Sequence, residues 1–194
     1  MDSESRSIFV HPHALVESDK IGTGTKVWAF AHVMRGAVVG TNCKIGNAVF
    51  LEDGAVVGNR VTLKNNSLIW SGVTIEDDAF VGPNTVFTND IWPRAHRDST
   101  SEDWLETRVG KGASIGANST IVAGAVIGRH AFVGAGSVVT KDVLDHELVV
   151  GNPARRTGWV CECGSKLDSS FACGACGRRY APTATGLHEA SNGE

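Results

Sequence analysis

The chain has no apolar run long enough to cross a bilayer, which excludes a membrane-spanning helix as its organising element. Its first ten residues, MDSESRSIFV, lack the basic start and apolar stretch of a secretory signal, so a cytoplasmic location is expected. It also lacks an excess of charge. Lys and Arg number 18 against 21 Asp and Glu, a net charge of −3, and so bulk electrostatics give no reason to expect nucleic acid as a partner. Cysteine is scarce over most of the length. Cys43 stands alone, and the other four cysteines lie close together near the C-terminus. Finally, the apolar residues follow neither the 3.6 period of an amphipathic helix nor the simple alternation of a half-buried strand.

What the chain has instead is a period of six. An aliphatic residue recurs at Ile21, Val27, Val33, Val39, Ile45, Leu51, Val57, Leu63, Ile69, Ile75 and Val81, with Phe87 closing the series; it resumes at Val109, Ile115, Ile121, Ile127, Val133 and Val139. Four residues after each aliphatic the side chain is usually small or β-branched, as at Ala31, Cys43, Ala55, Ser67, Thr85 and Ser119. Such residues fit a narrow interior beside a larger neighbour. Three residues after each aliphatic, fourteen of the eighteen repeats carry Gly, Asn or Asp. These types tolerate a left-handed backbone, so the chain turns a corner once per hexad. The reading is an all-β solenoid of short parallel strands.

The repeat divides the chain. Residues 1–14 read as an N-terminal cap and 15–144 as solenoid. A loop at 93–108, PRAHRDSTSEDWLETR, breaks the period before it resumes in register. Long loops on rigid scaffolds tend to carry function. Residues 145–160 must cover the last coil, since an open solenoid end exposes strand edges. Residues 161–180 hold Cys161, Cys163, Cys173 and Cys176, and 181–194 reads as a disordered tail. The two cysteine pairs, CEC-G and CGAC-G, suggest a structural zinc site with four thiolate ligands. The CxC spacing of the first pair departs from the usual CxxC, and free thiols are the alternative. Cys43 falls in the small-residue column and reads as an inert core thiol.

The pattern aliphatic–Gly–any–turn–small–any resembles that of the hexapeptide-repeat acyltransferases. That resemblance implies a left-handed parallel β-helix with three hexads per coil, here about six coils. It also implies a homotrimer with active sites between adjacent prisms, and acetyl-CoA as donor. Gly151-Asn152-Pro153-Ala154-Arg155 is similar to the motif whose basic residue contacts coenzyme A phosphate in that family. Arg155 is therefore the expected phosphate ligand, with Arg156 beside it, since a guanidinium forks onto phosphate oxygens. Ala117 and Ala135 are expected to meet pantetheine through their backbone.

A narrower resemblance rests on Trp28-Ala-Phe30-Ala-His32, Lys64-Asn65-Asn66, Gly82-Pro83-Asn84, Val86-Phe87-Thr88-Asn89, Pro93-Arg94 and the GNPAR segment. Together they resemble amino-sugar N-acetyltransferases of surface-polysaccharide (lipopolysaccharide and O-antigen) synthesis, nearest those acting on UDP-2-acetamido-3-amino-2,3-dideoxy-glucuronate. The implied reaction moves acetyl to the 3-amino group of a UDP-sugar; a dTDP-3-amino or UDP-4-amino sugar is the alternative acceptor. Asn84 is implied to position the amine, with His32 or His96 as an alternative base. It also stands in the turn column, where Asn is simply a good corner residue. Lys64, Asn65, Asn66, Asn89, Arg94 and Arg35 are the expected nucleotide-sugar contacts. A γ-carbonic-anhydrase-like metal site would need three histidines at coil-related spacing, which His32, His96 and His130 do not show. A non-catalytic scaffold would leave GNPAR and the long loop without a purpose.

Overall fold

A computed structural model describes residues 7–96 and 104–190. The described chain is all β, a parallel solenoid of about seven turns. Most strands are two residues long, such as Thr62–Leu63 and Phe80–Val81. They stack into three sheets of nine, seven and five strands, in which equivalent strands of successive coils pair in parallel; the ninth strand of the first sheet, Arg155–Trp159, joins it antiparallel. In the first sheet Val81 pairs with Leu63 on one side and Ile115 on the other.

Each two-residue strand turns one side chain in and one out. The inward ones are the aliphatic column, and from Val27 to Val139 none is more than 2% exposed. The small column, from Thr25 to Val143, is no more than 4% exposed and fills the space beside the corners. Burying this continuous core supplies the main driving force. Cys43 lies within it; its Sγ is 3.0 Å from the Gly58 carbonyl, and burial pushes the thiol pKa up.

The four repeats without Gly, Asn or Asp at the turn show how firmly the coil sets its corners. Phe30, Ala48, Arg60 and His130 all adopt positive φ, between 53° and 62°. A left-handed L-residue costs roughly 1–2 kcal/mol. Three of them recover part of that through neighbours. Phe30 stacks on His13 at 5.8 Å, Arg60 forks onto Asp78 at 2.6 and 2.8 Å, and His130 stacks on His146 at 5.0 Å. The Arg60 guanidinium in turn holds the Asp78 carboxyl below the usual carboxylate range.

The boundaries differ from expectation at both ends. The N-terminal segment is part of the solenoid: Phe9–Val10 and Leu15–Val16 pair with Lys26–Val27 and His32–Val33. That adds a coil to the count drawn from the hexads, because the first turn has the strand spacing but not the full aliphatic column. At the other end, residues 181–190 are ordered. Tyr180–Thr183 and Gly186–Glu189 form an antiparallel hairpin against the cysteine segment. Low hydrophobicity hid it, since its anchors are just Tyr180 and Leu187. The loop returns to strand at Thr107, pairing Thr107–Val109 with Val73–Ile75; residues 97–103 lie outside the described chain.

Candidate active site

The sheet register sorts the candidate residues by corner. The corner between the first and second sheets follows the strands Thr62–Leu63, Phe80–Val81, Ser114–Ile115 and Phe132–Val133. It carries Lys64-Asn65-Asn66, then Gly82-Pro83-Asn84, Gly116-Ala117-Asn118 and Gly134-Ala135-Gly136. The chain's next turn along the same corner is Gly151-Asn152 of GNPAR. Six expected contacts, scattered over seventy residues of sequence, thus form one line down the prism.

Asn84 sits in the middle of a side-chain ladder on that line. Its Oδ1 accepts from Asn66 Nδ2 at 3.1 Å, and its Nδ2 donates to Asn118 Oδ1 at 3.0 Å. All three asparagines have φ near +60°. An amide has two donor hydrogens and two acceptor lone pairs, so Asn84 keeps one of each for a ligand. The ladder fixes which way its amide points. Gly82 lies two residues before it. A Cβ there would sit 2.6 Å from the Ala117 backbone nitrogen, so the residue is glycine because successive coils touch at this corner.

Asn65 is partly committed to structure, its Oδ1 accepting the Asn47 N–H at 3.2 Å. Lys64 is exposed and, with Asn65, Trp28, Lys44 and Asn47, lines a cleft of about 230 Å³. Lys44 and Asn47 were not among the residues read from sequence. The signal available was the outward strand column, where Lys26 and Lys44 stand side by side.

Arg35 and Asn89 belong to a different corner, between the second and third sheets, from which the long loop also leaves. Arg94 and His96 lie on the described start of that loop, both exposed. Arg94 Nη1 donates to the Pro93 carbonyl at 2.8 Å. His32 projects from the second sheet between the two corners. Its Nε2 is 3.0 Å from Glu17 Oε2, and its ring meets Phe50 edge-on at 5.4 Å. Within a single prism, Asn84 and these residues are therefore not assembled into one pocket.

The GNPAR segment leads into the strand Arg155–Trp159, which runs antiparallel to Glu147–Val150. The Arg155 side chain is exposed, and its guanidinium bonds only the adjacent Ala154 carbonyl among the described residues. Arg156 is held more firmly, 3.8 Å from Glu147 and over the Trp159 ring at 5.1 Å. Both line a cleft of about 240 Å³ with Thr140 and Lys141 at the lower end of the solenoid. The physical contrast separates them: Arg155 is available to an anion and Arg156 is occupied.

Residues 106–141 match the family described as bacterial transferase hexapeptide (six repeats). A dTDP-3-amino-3,6-dideoxy-alpha-D-galactopyranose 3-N-acetyltransferase from Aneurinibacillus thermoaerophilus is 52% identical over 183 residues, covering 93% of this chain and 94% of that protein. The chain belongs to the hexapeptide-repeat acyltransferase family. The family's left-handed β-helix is the architecture described above. Two solved structures share the fold. The acetyltransferase domain of PglB from Neisseria gonorrhoeae FA1090, in complex with acetyl coenzyme A, superimposes with a TM-score of 0.53 at 21% identity, over 78% of this chain and 58% of that one. The N-acyltransferase AntD from Bacillus cereus, in complex with dTDP and coenzyme A, gives 0.53 at 20% identity over 78% and 80%. Among the described residues, no helix is long and apolar enough to cross a membrane.

Proposed function

We propose that the chain transfers the acetyl group of acetyl-CoA to the 3-amino group of a dTDP-linked 3-amino-3,6-dideoxyhexose. The observation that carries this reading is the 52% identity to a 3-N-acetyltransferase of such a sugar across nearly the full length of both proteins. The UDP-uronate acceptor implied by the sequence motifs gives way to this alternative. The product would serve surface-polysaccharide synthesis.

In the proposed mechanism the neutral amine attacks the thioester carbonyl carbon. A C–N bond forms, the C–S bond breaks, and the departing thiolate takes the amine's proton, leaving coenzyme A and an acetamido sugar. Asn84 presents its remaining Oδ1 lone pair to an amine hydrogen and so aims the nitrogen lone pair at the carbonyl. Holding the two reactants in this geometry accounts for much of the rate. Arg155 takes a coenzyme A phosphate, and pantetheine runs up the corner past Ala135 and Ala117 toward Asn84. The sugar nucleotide occupies the cleft at Lys64, Lys44 and Trp28. A homotrimer would place His32, Asn89 and the loop bearing Arg94 and His96 of one prism against the Asn84 corner of the next. The outer column of the second sheet supports that packing, because Leu15, Phe50, Leu68, Val86 and Val138 make it mostly apolar, with His32 and Thr120 as its polar members.

Release of coenzyme A thiol, followed with dTDP-3-amino-3,6-dideoxyhexose and with UDP-2-acetamido-3-amino-2,3-dideoxy-glucuronate, tests the assignment. The expected result is a kcat/KM at least about 100-fold higher for the dTDP sugar, the discrimination a site earns when it is built for one set of polar groups. Preference for the UDP-uronate would reject it.

A further inference from the structure

We infer that Cys161, Cys163, Cys173 and Cys176 bind one structural zinc ion, and that this ion holds together a ribbon that seals the C-terminal end of the β-helix. The four Sγ atoms all lie within 4.8 Å of one another. Zinc at about 2.3 Å from four tetrahedral sulfurs sets them roughly 3.8 Å apart, so the cluster has the size the ion requires. Two pairs are in direct contact, Cys161–Cys176 at 3.4 Å and Cys163–Cys173 at 3.5 Å. Both cross from one cysteine pair to the other, as a shared central ion would draw them. Neither approaches the ~2.05 Å of a disulfide, and all four thiols are free.

The backbone around the cluster has the form of two knuckles. Gly164 N–H donates to the Cys161 carbonyl at 2.8 Å and Gly177 N–H to the Cys173 carbonyl at 2.9 Å. Both glycines adopt positive φ, 89° and 78°, directly after the second cysteine of each pair. The Cys163 N–H points at Cys161 Sγ at 3.5 Å, as the amide of a knuckle turn does.

The apolar content of the ribbon gives the physical reason for an ion. Its core consists of Cys161, Leu167, Cys173, Tyr180 and Leu187, with Trp159 and Phe171 packed against it. Modules this small do not bury enough surface to fold unaided and require a staple. With all four thiols free, a metal held by them would supply that staple alongside docking on the solenoid. Four thiolates leave no open coordination position, so the ion is structural.

The ribbon does mechanical work on the solenoid. Val160 N–H donates to the His146 carbonyl at 2.8 Å, and the His146 ring packs on Tyr180 at 4.7 Å. Asp145 N–H donates to Thr185 at 2.8 Å, and Leu187 N–H returns to Asp145 at 3.1 Å. The approach is so close that a Cβ on Gly186 would sit 2.6 Å from the Asp145 nitrogen. The last turn between the third and first sheets, at Asp145 and His146, is thereby covered by the hairpin.

The test uses the full chain, purified under reducing conditions without added metal. Elemental analysis should find one zinc per chain retained through gel filtration. Replacement by cobalt should give the visible ligand-field and near-ultraviolet charge-transfer bands of a tetrahedral tetrathiolate. Cys173→Ser should abolish both signatures; if that variant fails to fold, a chelator titration of the unaltered protein, with thiol accessibility as readout, serves instead. Chelation should then expose four thiols together. Gly186→Ala should keep the metal while lowering the melting temperature, because it disturbs docking alone. No metal and no cobalt spectrum, or four thiols accessible without chelation, would overturn the proposal, as would iron in place of zinc. These readouts are independent of acceptor choice and of acetyl transfer.

Discussion

Asn84 and Asn118 are a matched pair of residues. Both occupy the same turn position of the same corner, both have φ of 57°, and they share one hydrogen bond. Replacing either with Ala strands a left-handed Ala, at roughly 1–2 kcal/mol; Asn118→Ala also removes one rung of the ladder and Asn84→Ala removes two. A role for Asn84 in aiming the amine therefore predicts a divergence. Asn84→Ala should lower kcat by about 100-fold, in the range seen for loss of a positioned polar group, well beyond the loss in Asn118→Ala, which leaves the Asn84 side chain in place and held by Asn66. Equal kcat in the two variants would return Asn84 to a corner role. Arg155→Ala should raise the KM for acetyl-CoA with little change in kcat, since it removes binding that ground and transition states share; an unchanged KM would dismiss it as a phosphate ligand. Gly82→Ala tests the close approach of coils. The added Cβ would meet the Ala117 nitrogen at 2.6 Å, and an overpacking cost of about 1–3 kcal/mol should lower the melting temperature by roughly 2–12 °C.

At the scale of elements, the period of six in the sequence was enough to place both inward columns and the corners. Val27 to Val139 all point inward, and even Phe30 and His130 turn where the period requires. The reason is that each hexad is a complete local instruction. The ends were harder to read, because there the instruction is incomplete: Phe9–Val10 pairs as a strand although it stands outside the regular aliphatic series, and Tyr180–Thr183 has few apolar neighbours in sequence. Division of the candidate residues between two corners was legible only in part. Spacing by eighteen aligns Asn66 with Asn84, but the loop inserted after Asn89 shifts the next rung to Asn118, thirty-four residues on. Where the terminal elements meet, His130 and His146 stack, and burial holds both imidazoles below the ordinary histidine value. Lys111 and Arg129 reinforce the shift of His130, Arg129 reinforces that of His146, and Glu162 opposes both, joined by Asp145 at His146. The unfolded chain thus binds protons at its histidine pKa of about 6.5 that the folded state refuses. Stability is full above that pH and is lost as pH falls through it toward the folded values. The melting temperature should decline below about pH 6.5, and less steeply in His146→Gln; parallel declines in the two proteins would locate the sensitivity elsewhere.

The whole molecule is a scaffold with one feature repeated until it becomes a track. Successive coils bring Lys64, Asn84, Ala117, Ala135 and Gly151 onto a single corner, with the cleft at Trp28 and Lys44 toward one end and Arg155 toward the other. A family fold does not fix chemistry; in the proposed mechanism that is left to the cleft, the oriented amide and the free guanidinium placed along this one line. Assembly should complete it, and light scattering is expected to give a trimer that Leu68→Lys disrupts, because a charge would enter the apolar column of the second sheet. A monomer in the unaltered protein would remove the neighbouring prism's contribution. The most direct measurement is a crystal structure with coenzyme A and dTDP. Coenzyme A should lie along the Ala117–Ala135 corner with a phosphate at Arg155 and its sulfur directed toward Asn84, and dTDP should fill the Lys64 cleft. Coenzyme A bound instead along the third sheet, or in the cleft beside Lys111 and His130, would contradict the account.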